Sequence, residues 1–236
     1  MGNPGQPNYL ALFSGSTQLV TDDDCPKNFP DAPNLAQQLV VAGFSFAQYS
    51  EDMPSAGYTD CGSGLYARSH NPVPDFFNVA SASNQPYTSF AAALTNNTLP
   101  TISFVVPNLC NDMNGQAFGT ACNMIFADLV ALGDTWLSAN VPLFLNSSSA
   151  QNGLLIITWD QGSITVSGID THIPTLFIGP HVKVGYTSTT TINHYNVLRT
   201  LEDMYGLTPL GSADAAAPIT DVWLDTIFND GFEAAP

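Results

Sequence analysis

Basic residues are scarce in this chain, which has 4 Lys and Arg against 20 Asp and Glu among 236 residues and a formal net charge of −16. Binding to a nucleic-acid backbone requires a row of basic side chains that displaces counterions, and four such side chains over the whole length do not provide one. Anionic membrane surfaces are disfavoured for the same reason. The composition therefore argues against a nucleic-acid-binding protein.

Long hydrophobic runs are also missing. The longest apolar stretches, 101–107 and 154–159, fall far short of the roughly 20 residues that span a bilayer. Residues 1–4 have neither the basic nor the apolar region of a signal peptide. We therefore expect no membrane span, and a protein that is either cytosolic or has lost its original N-terminus.

Several catalytic motifs are absent. The chain has no CxxC pair, no GxxxxGK[ST] or GxGxxG loop and no GxSxG elbow, although Ser14 and Ser16 flank Gly15 in a predicted loop. These absences argue against a zinc ribbon, a dithiol redox site and a nucleotide-cradling loop.

The four cysteines allow three disulfide connectivities. We favour Cys25–Cys61 with Cys110–Cys122, because each pair lies in one loop-rich stretch that closure would stabilise. Four free buried thiols are the alternative. Disulfides, strong acidity and few lysines together favour a secreted or periplasmic protein whose N-terminus has been removed.

Helical and strand patterns alternate along the chain, which predicts a mostly parallel, doubly wound α/β sheet in a single domain, 1–236, with a frayed tail at 230–236. Helices are predicted at 34–43, 72–79, 87–94, 121–140 and 193–205, and strands at 44–49, 101–107, 154–159 and 175–179.

Polar residues follow two of these strands. Asp112 comes shortly after 101–107, Asp160 directly after 154–159, and His194 begins the helix at 193–205. Two carboxylates and an imidazole on separate elements suit a divalent cation at the carboxyl edge of the sheet. Asp residues also cap helices and shape turns in any α/β protein, so a structural role stays open.

A second candidate is the loop that holds Arg68 and His70, where an anion would find positive charge in an acidic chain. Arg68 can equally pair with one of the acids at 51–52. His172 and His181 are weaker candidates.

Five blocks resemble, in the same order, the phosphoesterase family of secreted acid phosphatases and bacterial phospholipases C. They are 6–15 (QPNYLALFSG), 66–72 (YARSHNP), 107–113 (PNLCNDM), 158–160 (TWD) and 193–203 (NHYNVLRTLED). The resemblance implies a three-layer α/β sandwich like that of alkaline phosphatase.

The same resemblance implies hydrolysis of phosphate monoesters or diesters, assisted by a divalent metal ion of unknown identity, with a small phosphorylated substrate. Protonated histidine would suit an activity that falls above about pH 7. Carried onto this chain, metal positions are Asp112, Asn114, Asp160 and Gln161, and catalytic positions are Asn8, Arg68, His70 and His194.

The chain departs from the family in four ways. Gly5 stands where relatives have a serine that we expect to be the nucleophile, Asn114 and Gln161 stand where relatives have stronger ligands, and the family's first strand is missing. A truncated enzyme and a catalytically degenerate, ligand-binding homologue both explain these departures. A serine esterase that uses Ser14 or Ser16 is a third possibility.

Overall fold

The computed structural model describes residues 2–115, 122, 126–162, 164–165, 168–169 and 171–224. Its α-helices are α1 (Gln6–Ser14), α2 (Leu35–Val41), α3 (Thr88–Thr95), α4 (Phe126–Leu145) and α5 (His194–Met204). Its strands are β1 (Phe46–Ser50), β2 (Gly62–Ser63), β3 (Tyr66–Ala67), β4 (Asn84–Pro86), β5 (Ile102–Val106), β6 (Leu155–Thr158), β7 (Ile164–Thr165), β8 (Gly168–Ile169) and β9 (Thr175–Ile178).

The described residues form two compact units. The first unit takes its residues from Met1–Asp23, Pro33–Ala42 and Gln151–Pro236, and the second unit from Asp24–Ala32 and Gly43–Ala150. The prediction of one domain stays a prediction.

The second unit is built on a parallel sheet with the order β4-β1-β5. Every residue of the middle strand β1 is buried, because neighbouring strands cover both of its edges and helix α3 packs on it. Tyr49, Phe90 and Leu94 form the buried cluster between sheet and helix. A parallel sheet flanked by helices confirms the predicted α/β class.

Both disulfides lie in the second unit and join the predicted cysteines. Cys25 pairs with Cys61 across 36 residues, and Cys110 pairs with Cys122 across 12. The alternative of four free thiols is therefore wrong.

In the first unit, α1 and α5 are in contact and bury Leu10, Phe13 and Leu198. Helix α5 begins as predicted, because the Asn193 side chain accepts the Tyr195 and Asn196 backbone N–H groups in a capping box. Strands β6 and β9 pair with each other in antiparallel fashion, which the sequence pattern did not predict.

The predicted helix at 72–79 is wrong. Only a 3₁₀ turn, Val73–Asp75, forms there. Asn71 precedes Pro72 and is extended, and Pro74 has no N–H to donate, so the α-helical hydrogen bonds cannot continue. Helix α1 was not predicted.

Other predictions fall partly outside the described residues. The helix predicted at 121–140 corresponds to α4, but 121 and 123–125 are not described, and neither is the tail at 230–236. None of the described helices has both the length and the hydropathy needed to cross a bilayer.

Candidate active-site residues

In the second unit, His70 and Asp112 form a buried pair. Asp112 lies in the turn after β5, and His70 ends the 3₁₀ turn Arg68–His70. The His70 Nδ1 atom lies 3.0 Å from Asp112 Oδ2, and the two side chains are 9% and 10% exposed. The structure thus joins two residues that the resemblance assigned to different roles.

The chemistry of this pair follows from its geometry. When the Nδ1–H group donates to the carboxylate, the ring is held in one orientation and Nε2 carries the lone pair. A histidine oriented in this way is suited to accept and return a proton, or to bind a cation through Nε2.

Backbone contacts fix the turn that carries Asp112. Its N–H donates to the Asn108 carbonyl oxygen over 2.8 Å, and its Oδ1 accepts the Asn114 N–H over 2.8 Å. Asn114, predicted as a metal position, has an exposed side chain and contributes its backbone N–H to Asp112.

Arg68 has a different set of partners from those considered in the sequence. Its guanidinium forms a buried ion pair with Asp75 over 2.8 Å, and it also donates to the carbonyl oxygens of Thr59, Lys27 and Pro74. It does not pair with the acids at 51–52. These contacts are those of a structural residue, and the substrate-binding role of Arg68 stays a prediction without support from them.

His194 and Asp160 meet in the first unit through the backbone. His194 Nε2 donates to the Asp160 carbonyl oxygen over 2.8 Å, and the ring is 2% exposed. Burial lowers the pKa of His194, and the hydrogen bond to the carbonyl opposes that shift only in part. The neutral ring therefore has its proton on Nε2 and its lone pair on Nδ1.

The two weaker histidine candidates also lie in the first unit. His172 is exposed, and His181 Nε2 lies 3.2 Å from Asn152 Oδ1. The exposure of His172 and the amide contact of His181 give no support to a catalytic role for either residue.

At the start of α1, Asn8 and Gly5 serve the local backbone. The Asn8 side chain donates to the carbonyl oxygens of Gly2 and Pro4 over 2.7 and 3.1 Å. Gly5 caps the helix with φ −72° and ψ −45°, a conformation that any residue adopts. The backbone at position 5 would thus accept a serine.

Ser14 is a poor nucleophile. It is buried, its hydroxyl contacts the carbonyl oxygens of Leu10 and Ser16, and it accepts from Gln18 Nε2. These bonds hold the oxygen inside the helix end, which counts against an esterase that uses Ser14.

The described residues do not assemble a metal site on their own. Across 2–115, 122, 126–162 and the described part of 164–224, no three His, Cys, Asp or Glu side chains are placed to hold a cation together. Gln161, a predicted metal position, does have a buried carbonyl oxygen that lacks a hydrogen-bond partner within this part of the chain. A single amide oxygen is not a ligand set, so no chemical step is assigned to a metal.

Sequence reasoning missed the residues that support the His70–Asp112 pair. Gln48 lies in β1 and donates to the His70 carbonyl oxygen, while Glu51 follows β1 and accepts hydrogen bonds from Asn108 and Asn111. The available signal was a polar residue within a strand, Gln48, and an acid directly after it, Glu51.

Comparisons with known proteins match most of the chain. The model of the Phosphoesterase family matches residues 1–208. A phosphatidylinositol-3-phosphatase of Mycobacterium tuberculosis is 41% identical over 94% of this chain and 69% of its own length. A phosphate-repressible acid phosphatase of Penicillium chrysogenum is 28% identical over 95% of this chain and 55% of its length, and a probable acid phosphatase of Kluyveromyces lactis is 26% identical over 93% and 53%. The chain thus spans about half the length of these fungal relatives.

Proposed function

Because the chain belongs to the phosphoesterase family of hydrolases that act on phosphate esters, we propose that it hydrolyses phosphate monoesters and that His70, oriented by Asp112, transfers the proton. The names of the phosphatases to which it is similar support the monoester class. The phospholipase C-like, diester activity that the resemblance also allowed is less well supported.

The observation that carries the proposal is the His70–Asp112 hydrogen bond. Both residues lie within the part of the chain that the family model matches, and both side chains are about nine-tenths buried. A buried carboxylate next to Nδ1 stabilises the imidazolium that forms when Nε2 accepts a proton.

The proton transfer is written for water as the nucleophile, because Gly5 offers no hydroxyl group. The water oxygen forms a bond to phosphorus, the bond from phosphorus to the leaving oxygen breaks, and His70 Nε2 accepts the proton of the water. His70 then returns that proton to the leaving alkoxide, so the imidazole ends neutral. Such general acid–base help accelerates reactions by about 10²- to 10⁴-fold.

Two further parts of the proposal concern the cation and the location. A divalent metal ion, if bound, would supply charge for the phosphoryl oxygens. The residues to test for its binding are Asp160 and Gln161 in the first unit and, separately, Asp112 in the second unit. We also propose a secreted or periplasmic location, which the two disulfides support.

A ligand-binding protein without turnover is the second candidate, and Gly5 is the observation that favours it. A homologue that lost its nucleophile would keep the fold and bind phosphate. Binding of inorganic phosphate by a folded chain that does not hydrolyse monoesters would identify this case.

The experiment is hydrolysis of p-nitrophenyl phosphate by the purified chain at pH 5–7. One sample is untreated, one is treated with a chelator, and one receives divalent metal after chelation. Turnover supports the phosphatase, and its loss and return with metal supports the cation. A folded chain without turnover in all three samples contradicts the proposed activity, and Gly5→Ser, with Gly5→Ala as its control, then tests whether a missing nucleophile is the reason.

A further inference from the structure

We propose that strand β1 and the residue directly after it position the His70–Asp112 pair through two side chains, Gln48 for His70 and Glu51 for Asp112. The catalytic meaning of this arrangement rests on the proposed function, whereas the arrangement itself is testable without it. Neither residue belongs to the blocks that resemble the phosphoesterase family.

Gln48 is a fully buried amide in the middle strand of the sheet. Its Nε2 donates to the His70 carbonyl oxygen and to Ser50 Oγ, each over 3.2 Å. Its Oε1 is buried without a hydrogen-bond partner in the described part of the chain. Leaving a buried acceptor unsatisfied costs stability, so an apolar residue would serve packing better at this position. Two contacts distinguish glutamine from an apolar residue here, those with Ser50 Oγ and with the His70 backbone, and the second reaches the His70–Asp112 pair.

Glu51 organises the other half of the pair. One of its oxygens, Oε2, accepts the Asn108 N–H and the Asn111 Nδ2–H over 2.9 Å, and Oε1 lies 3.1 Å from the same Asn111 amide. The Asn108 carbonyl oxygen in turn accepts the Asp112 N–H. Glu51 therefore fixes both ends of the turn from which Asp112 reaches His70.

The two anchors are three residues apart in sequence: Gln48 lies in the buried middle strand, and Glu51 directly follows its last residue, where its backbone N–H donates to the Val106 carbonyl oxygen of β5 over 2.9 Å. In register, Gln48 lies opposite Phe104 of β5 and Asn84 of β4, so Gln48 cannot shift without breaking the sheet. The Glu51 backbone is tied to the end of β5 through Val106. The distance between His70 Nδ1 and Asp112 Oδ2 is thus set by β1 and the residue directly after it. A misplacement of about 1 Å in such a pair costs up to about 10²-fold in rate.

The main test compares Glu51→Ala with Glu51→Gln. The alanine variant removes both carboxylate oxygens that accept from Asn108 and Asn111, whereas glutamine keeps one carbonyl oxygen for the Asn108 N–H. Asp52→Ala is the matched control, because Asp52 accepts from the Asn108 side chain but touches neither its backbone N–H nor Asn111.

The first readout is the proton resonance of the His70 Nδ1–H group, assigned by its loss in His70→Asn. We expect this resonance to persist in wild type, Glu51→Gln and Asp52→Ala, and to disappear through solvent exchange in Glu51→Ala. A resonance that persists unchanged in folded Glu51→Ala overturns the positioning role, whether or not the chain hydrolyses phosphate.

The second readout is steady-state kinetics with p-nitrophenyl phosphate. Glu51→Ala should lower kcat by about 10- to 100-fold with little change in KM, and Glu51→Gln should restore most of it. A loss of kcat in Glu51→Gln and Asp52→Ala that equals the loss in Glu51→Ala contradicts the proposal. Failure of the proposed function would show instead as a wild type without turnover that still has the His70 resonance.

Two other variants keep the test decisive if Glu51→Ala does not fold. Asn111→Ala removes only the amide that Glu51 binds, and Gln48→Met removes the donor to the His70 carbonyl while keeping the side-chain length. Each should weaken the His70 resonance and lower kcat. Wild-type resonance and kcat in both variants overturn the proposal.

Discussion

Each unit contains a buried histidine, and the two histidines differ in the hydrogen-bond partner of a ring nitrogen. His70 in the second unit faces the carboxylate of Asp112, whereas His194 in the first unit faces the backbone carbonyl of Asp160. A carboxylate stabilises the protonated ring, but a carbonyl oxygen offers only a partial charge, and burial lowers the pKa of His194. Under the proposed function, His70 is therefore the histidine that accepts and returns the proton, whereas the hydrogen bond of His194 stabilises the backbone at Asp160.

The largest expected effect is on catalysis at His70. His70→Asn should lower kcat for p-nitrophenyl phosphate by about 10²- to 10⁴-fold, because the group that accepts the proton is gone. The free energy of unfolding of His70→Asn should change little compared with this change in kcat. His181→Asn is the matched control and should keep wild-type kcat; an equal loss in both variants would show that the assay follows folding rather than chemistry.

Arg68 lies two residues before His70, but its partners are the Asp75 carboxylate and backbone carbonyl oxygens. We therefore expect its loss to affect stability more than catalysis. Arg68→Met removes the ion pair of the fully buried Asp75 carboxylate, so urea unfolding should show a loss of about 3–5 kcal/mol. The KM of the folded fraction should stay near that of wild type. A raised KM with unchanged stability would instead assign Arg68 to the substrate.

His194 should show the reverse of His70. His194→Leu replaces the imidazole by an apolar side chain of similar size and removes the N–H that donates to the Asp160 carbonyl oxygen, which should lower the free energy of unfolding by about 1–3 kcal/mol. Chemical denaturation measures this loss. Unchanged stability together with a loss of kcat as large as that of His70→Asn would break the distinction between the two histidines.

The smallest expected effect concerns Glu202, a buried acid of the first unit whose carboxylate contacts a backbone N–H group rather than a histidine. Its Oε1 accepts the Leu210 N–H over 2.9 Å, and burial raises the pKa of Glu202 to about 7 from an ordinary value of 4.5. The folded state therefore binds more protons than the unfolded state between these values. The free energy of unfolding should be highest below about pH 4.5, fall as the pH rises to about 7, and then level off, with a total change on the order of 1–3 kcal/mol.

Glu202→Gln should flatten this pH dependence, because the glutamine cannot ionise. Thermal unfolding of wild type and variant between pH 4.5 and 8 measures the difference, with Asp134→Asn on exposed helix surface as the control. A slope that persists in Glu202→Gln would assign it to other groups.

The sequence predicted those parts of the fold that rest on local patterns. Strand β5 and the turn with Asp112 follow from an apolar run that ends in polar residues, and α5 follows from its Asn193 cap and apolar spacing. The fully buried strand, however, is β1, whose Gln48 and Ser50 interrupt any apolar run. Its position in the middle of the sheet depends on pairing with distant β4 and β5, which a local pattern does not contain.

The candidate site was predictable in its residue types but not in their pairing. His70 and Asp112 were both identified, yet their contact joins residues 42 positions apart. The partner of His194 is a backbone carbonyl, and a backbone group cannot be identified from residue types. Arg68 pairs with Asp75 rather than with the acids at 51–52 because Asp75 lies in the 3₁₀ turn that follows Arg68 closely in sequence.

The most direct test of the account is the kcat of Asp112→Asn for p-nitrophenyl phosphate, measured beside wild type between pH 5 and 7. Asparagine keeps the size of the side chain but removes the charge that stabilises the His70 imidazolium. The account predicts a loss of kcat of at least about 10²-fold in a folded variant. A folded Asp112→Asn that retains kcat within a few-fold of wild type would contradict it.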